Sequence, residues 1–313
     1  MAHRPFRLAL TYSLSAILAA CVSLPKEESL NAFQNPAMTV ADYLDCMHDQ
    51  DVLLVAAHRG GPAPGFPENA LETFERTQTV GAMVLEIDVR RTSDGKFVLM
   101  HDETLDRTST GKGRVDGATL AQIQALQLRD NEGYVTLFHA PSLKEALDWG
   151  RDRAMLQLDV KPGSMVEDVV RFVVEHDAQS YAAVVVYSVE DALRAAAASP
   201  DITVSVEITD LERLKLLEDG GLPSNRIMAW TGVEKQRLEL WSGLSERGVT
   251  SAWGAMWYLD RDVKSSGDPS PFVKLAKTQL DIVSSDIPDV AYEALSKTQD
   301  LRAAVAACNA GTR

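Results

Sequence analysis

The chain has few basic residues, and this shortage limits the partners that it can bind. It has 313 residues, of which 31 are Lys or Arg and 45 are Asp or Glu, so its formal net charge is −14. Nucleic acid and anionic lipid headgroups repel a protein this acidic, which argues against both as partners. An anionic small molecule would need a local cluster of positive side chains.

Long apolar runs are missing beyond the N-terminus, so no later segment predicts a membrane-spanning helix. The first twenty residues differ, because Arg4 and Arg7 precede a short apolar stretch that ends just before Cys21. This order resembles a bacterial lipoprotein signal, which is cleaved before the cysteine and leaves a lipid on its sulfur. An ordinary signal peptide with an incidental cysteine is the alternative.

The N-terminal pattern predicts three regions along the chain. We expect residues 1–20 to be a signal peptide, residues 21–50 a tether and residues 51–313 one folded domain. The mature protein would then be an exported lipoprotein, held by its lipid anchor on the periplasmic or cell-surface side of a membrane.

Polar motifs are concentrated between residues 58 and 113, and several directly follow apolar runs. Residues 52–57, 83–89 and 97–100 predict short strands. Glu86 and Asp88 are two positions apart on the second strand, so they share one face. The link to the third run is too short for a parallel crossover, which predicts a hairpin that returns His101 toward both acids.

Strand-like and helix-like patterns alternate along the rest of the chain. With the first two runs they predict eight strands, at residues 53–57, 85–89, 155–159, 183–187, 202–206, 227–230, 249–253 and 281–284. Helical patterns lie between them, for example at residues 166–175, 189–198, 211–218, 235–247 and 290–307. This alternation fits an α/β fold, the (β/α)8 TIM barrel, with a small insertion after strand 2 at about residues 101–140. An active site on such a barrel lies at the C-terminal ends of the strands.

Only three cysteines are present, and two of them fall in the predicted body of the protein. Cys46 precedes the first strand and Cys308 ends the last helix, points that are neighbours at the bottom of a closed barrel. An even pair in an oxidising compartment suggests a disulfide. Two ordinary thiols remain the alternative.

The motifs in their order resemble the glycerophosphodiester phosphodiesterase family. They are His58-Arg59-Gly60, Pro67-Glu68-Asn69, Glu86-x-Asp88, Thr92-x-Asp94-Gly95, His101-Asp102, Leu105-x-Arg107-Thr108, Asp159-x-Lys161-Pro162 and Ser285-Asp286-x-Pro288. The resemblance implies a TIM barrel that hydrolyses glycerophosphodiesters to sn-glycerol 3-phosphate and an alcohol. Two positions depart from the family pattern, since Ala70 replaces a threonine and Asp159 replaces a glutamate.

Three carboxylates, Glu86, Asp88 and Asp159, are expected to converge at the strand ends. Like charges this close need a cation or protons, and an all-oxygen site favours a hard divalent metal, Mg²⁺ or Ca²⁺. The resemblance assigns the metal to the same three positions. The alternative is a solvated acidic cluster that pairs with Arg59 or Lys161.

His58 and His101 are the candidates for general acid and base, because imidazole exchanges protons near neutral pH. Which histidine has which role stays open. Arg59 and Lys161 are expected to bind the phosphate and to stabilise the charge that develops on it. Trp253 is expected to contact the substrate.

An apolar wall for the leaving alcohol could also include Trp230, Trp257 and Tyr258, although some of these aromatic residues should pack in the core. The sequence leaves two other functions open. The same site could cleave a whole lysophospholipid, which a lipid anchor would bring within reach. A binding protein could instead retain the phosphate pocket without catalysis, and the change at Asp159 motivates that possibility.

Overall fold

The computed structural model describes residues 38–310, and the predicted signal peptide and Cys21 lie outside them. Eight parallel strands and one antiparallel hairpin strand form a single sheet: β1 Leu54–Ala57, β2 Val84–Arg91, β3 Phe97–Leu99, β4 Leu156–Val160, β5 Ala182–Val186, β6 Thr203–Glu207, β7 Ile227–Trp230, β8 Thr250–Gly254 and β9 Ile282–Ser285. Strand β1 pairs with both β2 and β9, which closes the barrel. Only β3 runs antiparallel, against β2. The predicted TIM barrel and hairpin are confirmed.

Most of the helices follow a strand and cover the outside of the barrel. Residues 38–310 contain α1 Val40–Asp49, α2 Leu71–Val80, α3 Leu120–Gln124, α4 Leu143–Gly150, α5 Val166–Glu175, α6 Val189–Ala198, α7 Leu211–Asp219, α8 Leu238–Ser245, α9 Leu259–Ser266, α10 Ser270–Leu275, α11 Pro288–Leu295 and α12 Leu301–Ala310. None of them is long and apolar enough to cross a bilayer. Side-chain caps start several of them; Ser188 and Asp210, for example, accept backbone hydrogen bonds at the starts of α6 and α7.

Alternation along β2 separates the core from the site. Leu85, Ile87 and Val89 are fully buried in the main apolar core. Glu86 and Asp88 lie between them in sequence, so their side chains point to the opposite face of the strand. The segment between β3 and α4 forms a lobe with its own apolar cluster, which includes Leu105 and Leu128.

Part of the segment predicted as a tether is folded. Residues 40–49 form α1, in which Val40, Tyr43, Leu44 and Met47 are buried against the barrel. These positions are spaced three and four apart, so they form an apolar stripe along one face of a helix. A capping box at Thr39 starts the helix.

The helical pattern at residues 290–307 is divided into two helices, α11 and α12. The hydroxyls of Ser296 and Thr298 donate to backbone carbonyls at the end of α11. The carboxylate of Asp300 then accepts the backbone N–H of Ala303 at the start of α12. Short polar side chains thus satisfy backbone groups at the end of α11 and at the start of α12. The prediction of one continuous helix was wrong.

A disulfide joins Cys46 in α1 to Cys308 in α12, with a Cα–Cα distance of 5.8 Å. The possible disulfide is therefore confirmed. It closes a loop of 262 residues and holds the first described helix to the last.

Reduction of this disulfide is expected to lower the thermal stability of the protein. A disulfide that closes a long loop restricts the unfolded chain more than one that closes a short loop. Native disulfides contribute roughly 2–5 kcal/mol to the free energy of unfolding. We expect Cys46→Ser with Cys308→Ser to lower the melting temperature by about ten degrees, a shift that scanning calorimetry would resolve. An unchanged melting temperature in the variant and in reductant would contradict this expectation.

Candidate active site

A cavity of about 370 Å³ opens at the C-terminal ends of the strands, where the fold predicts an active site. Six of the predicted site residues line it: His58, Arg59, Glu86, His101, Asp159 and Lys161. Asp88 is fully buried beside them. The arrangement brings groups from distant parts of the sequence to one place.

The three predicted metal ligands converge. Ligand oxygens of Glu86, Asp88 and Asp159 all lie within 4.8 Å of one another. Neighbouring strands produce this geometry, because Asp88 on β2 is paired in register with Asp159 on β4. Burial, together with the charge of Asp88, raises the pKa of Glu86 to about 8. The site thus resists carrying three negative charges without a cation.

Asp88 is held by a two-point contact with an amide. The side chain of Asn69 donates to Asp88 Oδ2 at 2.6 Å and accepts the backbone N–H of Asp88 at 2.9 Å. Burial opposes ionisation of Asp88, but Lys161 and His101 together lower the pKa of the carboxyl below its usual value. Its Oδ1 is buried and accepts no hydrogen bond, although Lys161 Nζ lies 2.8 Å away without hydrogen-bond alignment.

Asp159 is oriented by a residue that the sequence did not identify as functional. Tyr187 donates its hydroxyl to Asp159 Oδ1 at 2.6 Å, and Lys161 donates to Oδ2 at 2.5 Å. Burial and the charge of Asp159 raise the pKa of Tyr187 well above its usual value, so its hydroxyl keeps the proton that it donates. The position of Tyr187 directly after β5 was the available signal.

His58 follows β1 and is paired with a carboxylate that follows the neighbouring strand β9. Its Nδ1 lies 2.7 Å from Asp286 Oδ1, which assigns the proton to Nδ1 and leaves Nε2 for exchange. Burial lowers the pKa of His58, but Asp286 and Glu86 outweigh it and raise the pKa above its usual value. Behind them, buried Asp260 accepts the backbone N–H of Asp286 and the hydroxyl of Ser285. Sequence reasoning missed Asp260 because no motif contains it.

Arg59 occupies a strained turn directly after His58. Its φ is +54°, in the left-handed region that L-residues rarely adopt. In this conformation its backbone N–H donates to Glu86 Oε2 at 2.8 Å, and its guanidinium pairs with buried Glu68 at 3.0 Å. The turn therefore links the phosphate-binding candidate to a metal-ligand candidate.

The insertion contributes one arginine, Arg107, which contacts the carboxylate partners of both Arg59 and His101. Arg107 donates two hydrogen bonds to Glu68, at 2.8 and 2.9 Å, and two to Asp102, at 2.7 and 2.9 Å. Asp102 lies 2.7 Å from His101 Nδ1, while Glu68 also holds Arg59. One guanidinium thus positions an acid–base candidate and a phosphate-binding candidate.

Arg107→Gln is expected to lower kcat by about 10- to 100-fold, because small displacements of His101 and Arg59 are costly in a preorganised site. Arg107→Lys should restore little of this loss, since one ammonium cannot fork onto both carboxylates. Arg114→Gln is a matched control, because Arg114 pairs with Asp116 and Glu103 in the same lobe and hydrogen-bonds to neither Glu68 nor Asp102. Equal kcat in Arg107→Gln and Arg114→Gln would contradict the positioning role.

Trp253 does not line the cavity, so its predicted contact with substrate is not supported. Its side chain is buried in the main core and packs edge-on against Trp241 of α8, with ring centroids 6.2 Å apart. Alternation along β8 explains this direction, because Trp253 points toward the helix layer. The aromatic residues that do line the cavity are Tyr187, Trp230 and Trp257.

Comparison with known proteins agrees with this geometry. Residues 58–279 match the sequence profile of the glycerophosphoryl diester phosphodiesterase family. The chain belongs to this family. The profile begins at His58, the first residue of the cavity, and covers every strand from β2 to β8.

Individual relatives support the assignment. A crystal structure of a glycerophosphoryl diester phosphodiesterase from Parabacteroides distasonis has a TM-score of 0.78 and 31% identity, covering 84% of this chain and 94% of that one. A glycerophosphodiester phosphodiesterase of Bacillus subtilis is 40% identical over 108 residues, or 31% of this chain and 36% of that protein. The chain thus spans about a third of the length of the curated relatives that it matches.

Proposed function

We propose that the protein is a metal-dependent phosphodiesterase that hydrolyses glycerophosphodiesters to sn-glycerol 3-phosphate and an alcohol. The observation that carries this proposal is the convergence of three carboxylates with two histidine–carboxylate pairs in one cavity. Such a set can hold a hard cation and exchange protons on both sides of a phosphodiester.

The carboxylate cluster fits a divalent cation. Lys161 can offset only one of its three negative charges, and Asp88 Oδ1 is a buried oxygen without a hydrogen bond. Glu86, Asp88 and Asp159 would hold Mg²⁺ or Ca²⁺ through oxygen ligands. The bound ion would withdraw charge from the phosphate oxygens and align the substrate.

The chain's own residues supply the remaining steps. Arg59 and Lys161 line the cavity beside the cluster and would bind the phosphate oxygens. One histidine, His58 or His101, would accept the proton of the glycerol hydroxyl that attacks phosphorus. The other would protonate the departing alcohol, and water would then open the cyclic phosphate.

Relatives support this reaction. The relatives from Bacillus subtilis and Caldanaerobacter subterraneus are both named glycerophosphodiester phosphodiesterases. A structure of a phosphodiesterase from Oleispira antarctica, which shares the fold at 22% identity, is a complex with the product sn-glycerol 3-phosphate. That product is the one proposed here.

We also propose that the enzyme is exported and anchored through a lipid on Cys21. The N-terminal sequence and the Cys46–Cys308 disulfide, which suits an oxidising compartment, support this location. Cys21→Ser should release the protein from the membrane fraction of the producing bacterium. Retention of the variant on the membrane would contradict the anchor.

A lysophospholipid phosphodiesterase is the second candidate function. The apolar side chains in the cavity lining, such as Val233 and Met256, favour it. Those groups would accommodate a less polar substrate than a free glycerophosphodiester.

Parallel assays on the full chain with glycerophosphocholine and lysophosphatidylcholine separate these possibilities. Release of glycerol 3-phosphate from the first at the higher kcat/KM supports the main proposal. A higher kcat/KM for lysophosphatidylcholine would favour the second candidate. Absence of product from both, with either Mg²⁺ or Ca²⁺ present, would favour a binding protein instead.

A further inference from the structure

Part of the cavity has a chemistry of its own. Three aromatic side chains, Tyr187, Trp230 and Trp257, line it together with the carboxylate-bearing Glu207. They come from the ends of different strands, so their meeting is a property of the barrel and not of a local motif. The mechanism proposed above uses none of their ring faces.

Each aromatic residue is held by a specific structural feature. A side chain at Gly254 would collide with the ring of Trp230, because a Cβ there would lie 2.8 Å from it. Trp257 has a φ of +67°, which is a strained backbone conformation. In this conformation 59% of the residue is exposed to solvent. Tyr187 is fixed by its hydrogen bond to Asp159. Strained residues of this kind occur at ligand-binding positions.

Glu207 adds a negative charge beside these rings. It is exposed at the end of β6, where the guanidinium of Arg213 donates to its backbone carbonyl at 2.6 Å, and its carboxylate forms no ion pair with any residue between 38 and 310. This charge would not attract a neutral or acidic leaving group. A cationic leaving group would be attracted by both the carboxylate and the ring faces.

We propose that these four residues form a subsite for a quaternary ammonium group, so that the alcohol released is a choline-like amino alcohol. Aromatic faces attract such cations, which are too weakly hydrated and too bulky for tight ion pairing alone. The subsite and the carboxylate cluster share one cavity, which places a cationic alcohol beyond the scissile phosphate. This inference rests on the proposed function and specifies its substrate.

The test compares kcat/KM for glycerophosphocholine and glycerophosphoglycerol with the full chain. Trp257→Leu keeps an apolar side chain but removes the aromatic face, and Glu207→Gln keeps the shape but removes the charge. We expect each variant to lower kcat/KM for glycerophosphocholine by about five- to tenfold, mainly through KM. The loss for glycerophosphoglycerol should be several-fold smaller.

Tyr258→Leu is the matched control. Tyr258 is the next residue in sequence, but it lies outside the cavity, where its hydroxyl contacts Glu234. Selectivity should be unchanged in this variant. Equal losses for both substrates in Trp257→Leu and Glu207→Gln, or a wild-type enzyme without preference for choline, would overturn the inference.

Measuring the binding of choline provides a second test of the subsite that does not depend on catalysis. Choline should quench the tryptophan fluorescence of the wild-type chain saturably, and more weakly in Trp257→Leu and Glu207→Gln. Saturable quenching without turnover of any glycerophosphodiester would contradict the proposed function but support the subsite. Turnover without saturable quenching would support the function and overturn the subsite.

Discussion

Replacing His58 or His101 by alanine should lower kcat for phosphodiester hydrolysis by about 10³-fold, the effect expected for losing a positioned general acid or base. Each histidine uses Nδ1 to contact a carboxylate, Asp286 or Asp102, at 2.7 Å. Each therefore presents Nε2 for proton exchange. Because the two residues reach the cavity from different strands, they can act on opposite sides of one phosphate.

His139→Ala provides the control for this prediction. The His139 ring hydrogen-bonds to the carbonyl of Leu126 in the insertion lobe and does not line the cavity, so its loss should leave kcat unchanged. Steady-state kinetics with glycerophosphocholine would measure all three variants, and metal binding should persist in each. If both His58→Ala and His101→Ala kept more than a tenth of wild-type kcat, the acid–base assignment would be wrong.

Removing a metal ligand should have an equally large effect. Glu86→Gln and Asp159→Asn are each expected to lower activity by about 10³-fold, because metal-assisted charge stabilisation is worth several kcal/mol. Asp159→Glu restores the residue usual in the family and should keep activity within about tenfold. Calorimetric titration with Mg²⁺ or Ca²⁺ would show whether metal affinity falls together with activity.

Stability measurements on the metal-free protein provide a second readout for Glu86. Its pKa rises from 4.5 to about 8 on folding, so the folded state binds the proton more tightly than the unfolded state. The free energy of unfolding should therefore decrease as pH rises through this range. Glu86→Gln should remove that decrease while abolishing activity. A variant that is less stable than wild type at pH 8 without metal would contradict the account.

The sequence predicted the parts of the fold that depend on local patterns. Strands such as β7, and the helices α5 and α6, agree with the predicted ranges because their apolar residues have a clear period. The side chain of Ser188 also caps the start of α6. The carboxylate cluster was also predictable. Residues two apart on β2 share a face, and neighbouring parallel strands place Asp159 beside Asp88.

Other features depend on contacts between distant segments, which a single sequence does not reveal. Tyr187 and Asp260 act through hydrogen bonds to residues 28 and 26 positions away. The direction of the Trp253 side chain depends on the register of β8. A shift of that register by one residue would have pointed the side chain into the barrel. Helix α1 was missed because its apolar stripe follows a segment that resembles a lipoprotein tether.

A ³¹P NMR time course on the metal-free full chain with glycerophosphocholine would test the central claim most directly. The account predicts that the phosphodiester signal persists until Mg²⁺ or Ca²⁺ is added, then gives way to the signal of glycerol 3-phosphate, and that excess EDTA stops the conversion. Conversion at the same rate before metal addition or after EDTA would contradict a carboxylate-bound cation as part of the catalytic site.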